Sequence, residues 1–198
     1  MATQPKGKDV IYNITGMWAF PFTDIDTLTY GDPSFVKYGG NASWEKTMSN
    51  AELDSYGQTV EYLSVVKKVQ GTFTQGAMDF QTLTIMTGVT RQDSSGDEYI
   101  DVETGGSGLP FFGFMLRWES NKGQGLAGFA KVKLEQFPGF TIEQNNYRSV
   151  ELSWHGLPVF GTDGKGRAAR YRTFEGGATP PADGAEFKAF FGGVFFPS

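Results

Sequence analysis

The sequence predicts a mainly β chain, an antiparallel β-sandwich with one short flanking α-helix. Two observations carry the prediction. Between residues 109 and 160 three runs alternate apolar with polar residues, and a period of two over this length marks half-buried antiparallel strands, whose successive side chains point to opposite faces. The composition agrees, because 27 glycines and 15% aromatic residues suit many turns between β-rich segments. A chain of 198 residues is long enough to bury a substantial core. The boundaries read as a sandwich domain over 1–176 and a C-terminal aromatic arm with a short helix over 177–198.

In chain order, residues 1–8 are polar and have no apolar stretch of signal-peptide type, and no run is long enough to span a membrane, so a soluble, unsecreted chain is expected. Val10, Tyr12 and Ile14 open a first strand that is expected to stop at Pro21, since proline has no N–H for a ladder. The aspartates and Gly31 between Thr23 and Pro33 read as a loop. Alternation resumes through Val36, Tyr38, Ala42 and Trp44, with a bulge expected at Gly39-Gly40. The polar stretch from Glu45 to Gly57 has no helical stripe and reads as a projecting loop. Val60 to Thr74 reads as a long strand. Asp79 is placed to cap a short helix whose stripe is Phe80, Leu83 and Met86, with Gly88 just past its end. A helix this short needs a sheet to lie on.

The segment 91–108 sets Asp93, Asp97, Glu98, Asp101 and Glu103 against Arg91. Such carboxylates can hold a hard cation, but the spacing is not that of an EF-hand loop and a solvated acidic loop is the expectation.

The three alternating runs follow. Phe112, Phe114, Leu116 and Trp118 share one face, with Arg117 and Glu119 opposite; Leu126, Ala130, Val132 and Leu134 share another, with Lys131, Lys133 and Glu135 opposite. Val150, Leu152 and Trp154 oppose Ser149, Glu151, Ser153 and His155. The connection Ser120-Asn121-Lys122-Gly123-Gln124 makes a hairpin of the first two. Asp163-Gly164-Lys165-Gly166-Arg167 superficially suggests a phosphate loop, but Arg167 stands where a P-loop needs Ser or Thr, and a hairpin turn fits better. Asp183 and Glu186 form a D-x-x-E cap for a terminal helix. Phe187, Phe190, Phe191, Phe195 and Phe196 fall within the last twelve residues and either complete this chain's core or dock on a neighbour.

Little points to catalysis. The chain has no cysteine and one histidine, His155, which rules out disulfides, thiolate metal sites and a multi-histidine centre within one chain. Ser153 and Glu151 share a strand face with His155, but side chains two apart on a strand sit about 7 Å apart, too far for a nucleophile and its base. No enzyme, cofactor or metal site is expected. A net charge of -5 argues against a nucleic-acid grip through a basic surface, though not against DNA passing by. The sequons at Asn13 and Asn41 carry little meaning without a secretion signal.

The order of these pieces resembles the major tail tube proteins of long-tailed (siphovirus-type) bacteriophages. The resemblance lies in the helix ending Leu83-Thr84-Ile85-Met86-Thr87-Gly88, then Gly113 through Gly123, Phe129 through Leu134, Ser149-Val150-Glu151-Leu152, the turn at Asp163-Gly164-Lys165-Gly166 and the strand Arg170-Tyr171-Arg172. It covers about residues 34 to 174. It implies a structural virion protein whose hexameric rings stack into a tube, with tape measure, tail terminator and baseplate proteins as partners, no membrane, and DNA passing through the lumen unbound. The chain would reside in the virion tail, and in the host cytoplasm during assembly. It further implies that the loop holding Glu45, Met48, Leu53 and Tyr56 reaches the next ring. Acids from among Glu61, Glu135, Glu143 and Glu151 are expected to line the lumen. Two alternatives remain: a soluble β-sandwich binding module stacking carbohydrate or another ligand on Trp18, Trp44 or Tyr56, and a capsid decoration or tail terminator protein.

Overall fold

The computed structural model describes residues 11–36, 39–55, 58–76, 80–94, 97–101, 108–121, 123–138, 150–192 and 195–196; for 11–12, 47–55, 58–67, 90–94 and 97–101 it describes the backbone alone. The elements in order are β1 (Ile11–Asp24), β2 (Thr29–Tyr30), β3 (Ser34–Phe35), β4 (Gly39–Ser55), β5 (Gln58–Gln75), α1 (Phe80–Thr87), β6 (Thr90–Ser94) and β7 (Asp97–Asp101). There follow β8 (Phe112–Ser120), β9 (Gly123–Leu134), β10 (Val150–Gly156), β11 (Val159–Phe160), β12 (Gly166–Arg167), β13 (Ala169–Phe174) and α2 (Gly184–Phe191). The chain is mainly antiparallel β, as its alternation requires.

One nine-stranded sheet runs β2-β1-β8-β9-β10-β5-β4, with β3 added to β1 and β13 to β9. No second large sheet is present among the described residues; instead this one folds over on itself. Phe73 of β5 and Phe114 of β8 stack with ring centroids 5.0 Å apart, although three strand spacings separate them, about 14 Å in a flat sheet. The fold-over encloses an inner core in which Phe114, Phe129 and Trp154 meet edge-on or stacked, and α1 closes it with Met86. The helix lies on the sheet as its length demands, burying Leu83 and Met86. Gly88 ends it at φ 73, while Asp79 lies outside the described residues.

The outer face of β1, β8 and β9 carries a second core, covered by α2. Phe187 stacks on Phe20 at 3.9 Å, and Phe190, Phe191, Phe195 and Phe196 are buried beside Met115, Leu126 and Ala130. Phe187, Phe190, Phe191, Phe195 and Phe196 therefore complete this chain's own core. Asp183 accepts from Glu186 N at 2.8 Å and Glu186 returns a bond to Ala182 N, so the cap forms with its return bond one residue early.

Several expectations change. β1 continues past Pro21 to Asp24. Proline ends the pairing with β8 at Phe112, and β1 goes on with β2 on its other edge, where Pro21 O still accepts from Gly31. Leu126 and Ala130 do not share a face with Val132 and Leu134. A bulge between the pairs Phe114↔Phe129 and Phe112↔Val132 inserts one residue, so Leu126 and Ala130 face α2 while Phe129, Val132 and Leu134 face the inner core. Glu45–Gly57 is not an irregular loop: β4 runs to Ser55 and pairs with β5 from Gln58 on. The acidic segment likewise forms a hairpin, with Asp93 opposite Glu98. The bulge expected at Gly39-Gly40 is present as a register shift before Ala42, and the hairpins at 120–123 and 160–166 form as read.

Candidate assembly surface

Residues 69–75 of β5 lie between β4 and β10, and the side chains that point away from the inner core form a continuous polar face. Registers align Ser43, Thr72 and Ser153 in one row and Glu45, Gln70 and His155 in the next, with Thr74 and Glu151 opposite each other beyond. Gln70 Nε2 donates to Glu45 Oε1 at 2.7 Å, and the Ser43 and Thr72 hydroxyls are 3.0 Å apart. A shallow groove of about 320 Å³ runs between Glu45, Gln70, Thr72, Glu135 and Ser153. The alternation follows from burial: Val69, Phe73, Leu152 and Trp154 fill the inner core, so their sequence neighbours must face out.

Glu135 follows β9 and sits 3.7 Å from Lys68 Nζ and 4.0 Å from His155 Nδ1. Partial burial pushes the His155 imidazole below its ordinary pKa, and Lys68 pushes the same way while Glu135 pulls against them. The imidazole is therefore neutral at pH 7. Its carboxylate neighbour is Glu135, just past the end of the preceding strand β9, rather than Glu151; Ser153 contributes its carbonyl, which accepts from Glu135 N at 2.9 Å.

The sequence-predicted residues thus divide. Glu135 and Glu151 are exposed, and Glu45, expected in the projecting loop, belongs to the same polar face. Glu61 lies further out on β5, opposite Leu53, and Met48 lies opposite Val66. Glu143 and Tyr56 lie outside the described residues. The aromatic residues considered as stacking platforms are already engaged: Trp18 packs against Phe35 and beneath Arg117, and Trp44 lies parallel to Tyr171 at 6.2 Å and edge-on to Phe129. Gln70 and Lys68 are the polar-face residues that sequence reading passed over, although their alternation with Val69 was visible.

The edges of the sheet are the second feature. β10 pairs with β5 only from Val69 to Gln75, so Gln58–Lys68 of β5 has β4 as its single neighbour among the described strands. β4 itself, 17 residues long, pairs only with β5 among the described strands. The hairpin from Thr47↔Lys68 to Ser55↔Gln58 is therefore a two-stranded arm, about 30 Å long at 3.3 Å per residue. β13 likewise has β9 as its only partner among the described strands. No helix of the described residues is long and apolar enough to cross a membrane. No protein-family model matches the chain, and none of the curated proteins is similar to it.

Proposed function

We propose that this protein is a structural subunit that polymerises into stacked rings, the tube of a long-tailed bacteriophage, with no catalytic role. The observation that carries the reading is the β4–β5 arm. A 17-residue edge strand continued into an arm with no second neighbour among the described strands is the arrangement that monomers avoid by shortening, bulging or covering their edges. A ring of copies removes those edges, as closure does in a barrel, and leaves a channel when the ring is wide. Hexameric closure, stacking and the partners of a tail (tape measure, terminator and baseplate) come from the family resemblance.

In this reading the arm reaches the next ring and the polar face of β4, β5 and β10 borders the channel. Glu45, Glu135 and Glu151 there, on a chain of net charge -5, repel DNA so that it passes without sticking. The carbohydrate-module alternative is disfavoured because Trp18 and Trp44 spend their ring faces within the chain. A decoration or terminator protein would give one ring or a trimer.

Electron microscopy and sedimentation of the purified protein at rising concentration test the reading. Hollow tubes or stacked rings of uniform width are expected. A chain that stays monomeric to its solubility limit overturns it, single unstacked rings transfer it to the terminator class, and a strongly positive lumen in the assembled particle removes the DNA-repelling role.

A further inference from the structure

We propose that the open edge of β13, centred on Arg172, is the socket for the acidic β6–β7 hairpin of a second copy of this chain. The inference rests on the polymer reading above and names one contact within it.

Two arginines mark this edge of an acidic protein. Arg172 holds its guanidinium over the rings of Phe174, at 5.2 Å, and Phe190, at 5.8 Å, and Arg170 Nη1 donates to Phe190 O at 3.4 Å. Neither arginine has a carboxylate in ion-pair contact among the described residues. Residues 171–173 are exposed, and a groove of about 310 Å³ opens beside them between Arg172, Phe174, Thr179, Pro181, Glu186 and Phe190, with the Glu186 carboxylate already accepting from Ala182 N. Aromatic rings that hold a cation in place without neutralising it leave it oriented for an incoming carboxylate at small entropic cost. Among the described strands β13 pairs only with β9, so its second edge offers N–H and C=O groups to another strand.

The occupant matches in charge and form. Residues 90–101 carry Asp93, Asp97, Glu98 and Asp101 against Arg91 alone, and β6 and β7 pair only with each other among the described strands. Each strand of the hairpin has five residues, close to the six of β13.

The placement favours a contact between copies. The base of the hairpin is held where Gly88 packs on Pro110, two residues before β8 begins; a Cβ at Gly88 would stand 3.3 Å from the Pro110 ring. Arg172 lies level with Leu126 and Arg117, five residues beyond Phe112, about 17 Å along β8. Socket and hairpin base thus stand at different levels of the same subunit. A pair of unlike surfaces on one chain generates a heterologous contact, which repeats from copy to copy as a ring or a stack.

A charge exchange in the full-length protein tests this, read as the lowest concentration at which sedimentation and microscopy detect assemblies. Arg172→Glu alone, and Asp97→Lys with Glu98→Lys alone, should each raise that concentration about tenfold or more, as like charges face each other across a contact. The three changes together should restore it to within about threefold of the parent, and raised salt should weaken both effects. Thermal melting of each variant, with Arg172→Gln as a milder change that removes the charge without reversing it, separates loss of contact from loss of fold. If the parent forms tubes and both reversals leave the threshold unmoved, or if well-folded combined variants do no better than either reversal, the contact is wrong while the polymer reading stands. A parent that never assembles overturns both.

Discussion

The two long hairpins of this protein obey the same backbone rules and end in opposite circumstances. In β8–β9 both faces are covered, by the inner core on one side and α2 on the other, and both outer edges are paired, to β1 and to β10 and β13. In β4–β5 the same ladder runs on past Val69 with no further strand beside it. The difference teaches that pairing alone sets a strand's existence, whereas burial sets its pattern. Phe112, Phe114, Leu116 and Trp118 alternate because they fill the inner core, while Gly113 and Met115 between them meet the α2 side; Thr47 through Ser55 shows no such period in its sequence, and bulges at Thr47/Met48 and Leu53/Asp54 shift its register.

The contrast can be pressed from its strongest point. Phe129→Ala should cost about 3–5 kcal/mol, because the ring is fully buried between Trp154, at 4.7 Å, and Phe114, at 6.3 Å, and the surrounding sheet cannot collapse into the space. Denaturant unfolding measures it, and a loss below about 1 kcal/mol would mean that the inner core repacks freely. Gly71→Ala tests the junction where the arm leaves the body. A Cβ there would stand 2.3 Å from Ser43 O and 2.7 Å from the Trp154 ring, so the β4–β5 pairing must shift, for about 1–3 kcal/mol.

Asp183→Ala should remove about 1 kcal/mol through the lost cap on Glu186 N, and Asp183→Asn should recover most of it. A melt that ignores Asp183→Ala would detach α2 from the cooperative unit.

Replacing 53–61 by a two-residue Asn-Gly turn should move the melting temperature very little, because the described residues of that range pair only with one another, yet it should abolish assembly. A large drop in stability would show that the arm is held by its own chain.

Acidification gives a still smaller effect. The His155 pKa is lowered in the folded state, so between that value and the unfolded value near 6.5 the unfolded chain binds the extra proton; stability is present above that window and falls as pH drops through it. His155→Gln should flatten this part of the pH profile, read from melting temperatures between pH 7.5 and 5, and an unchanged slope would assign it to carboxylates instead.

Sequence reading reached most of the body and little of the surface. The alternation of Leu152 and Trp154 with Ser153 and His155 was legible because a single buried face enforces it. The stripe of Leu83 and Met86 was legible for the same reason, and so was the Asp183 cap, whose chemistry is local. The faces of β9 were not, because one inserted residue between Phe129 and Val132 reverses every side chain after it and leaves no mark in composition. The arm's first strand carries no apolar period in its sequence, so nothing in Glu45–Ser55 marks a strand until its register with β5 is seen.

By itself, then, the sequence determined the antiparallel β character, the two short helices, the turns at Gly123 and Gly164 and the absence of cysteine chemistry, all consequences of spacing over a few residues. Tertiary structure alone decided that one sheet folds over to bring Phe73 onto Phe114, that the terminal phenylalanines close the outer face of their own chain, and that β4 and β13 each have a single partner among the described strands. Those outcomes depend on which distant strands meet, and the energy that selects them comes from burial shared among residues far apart in the chain.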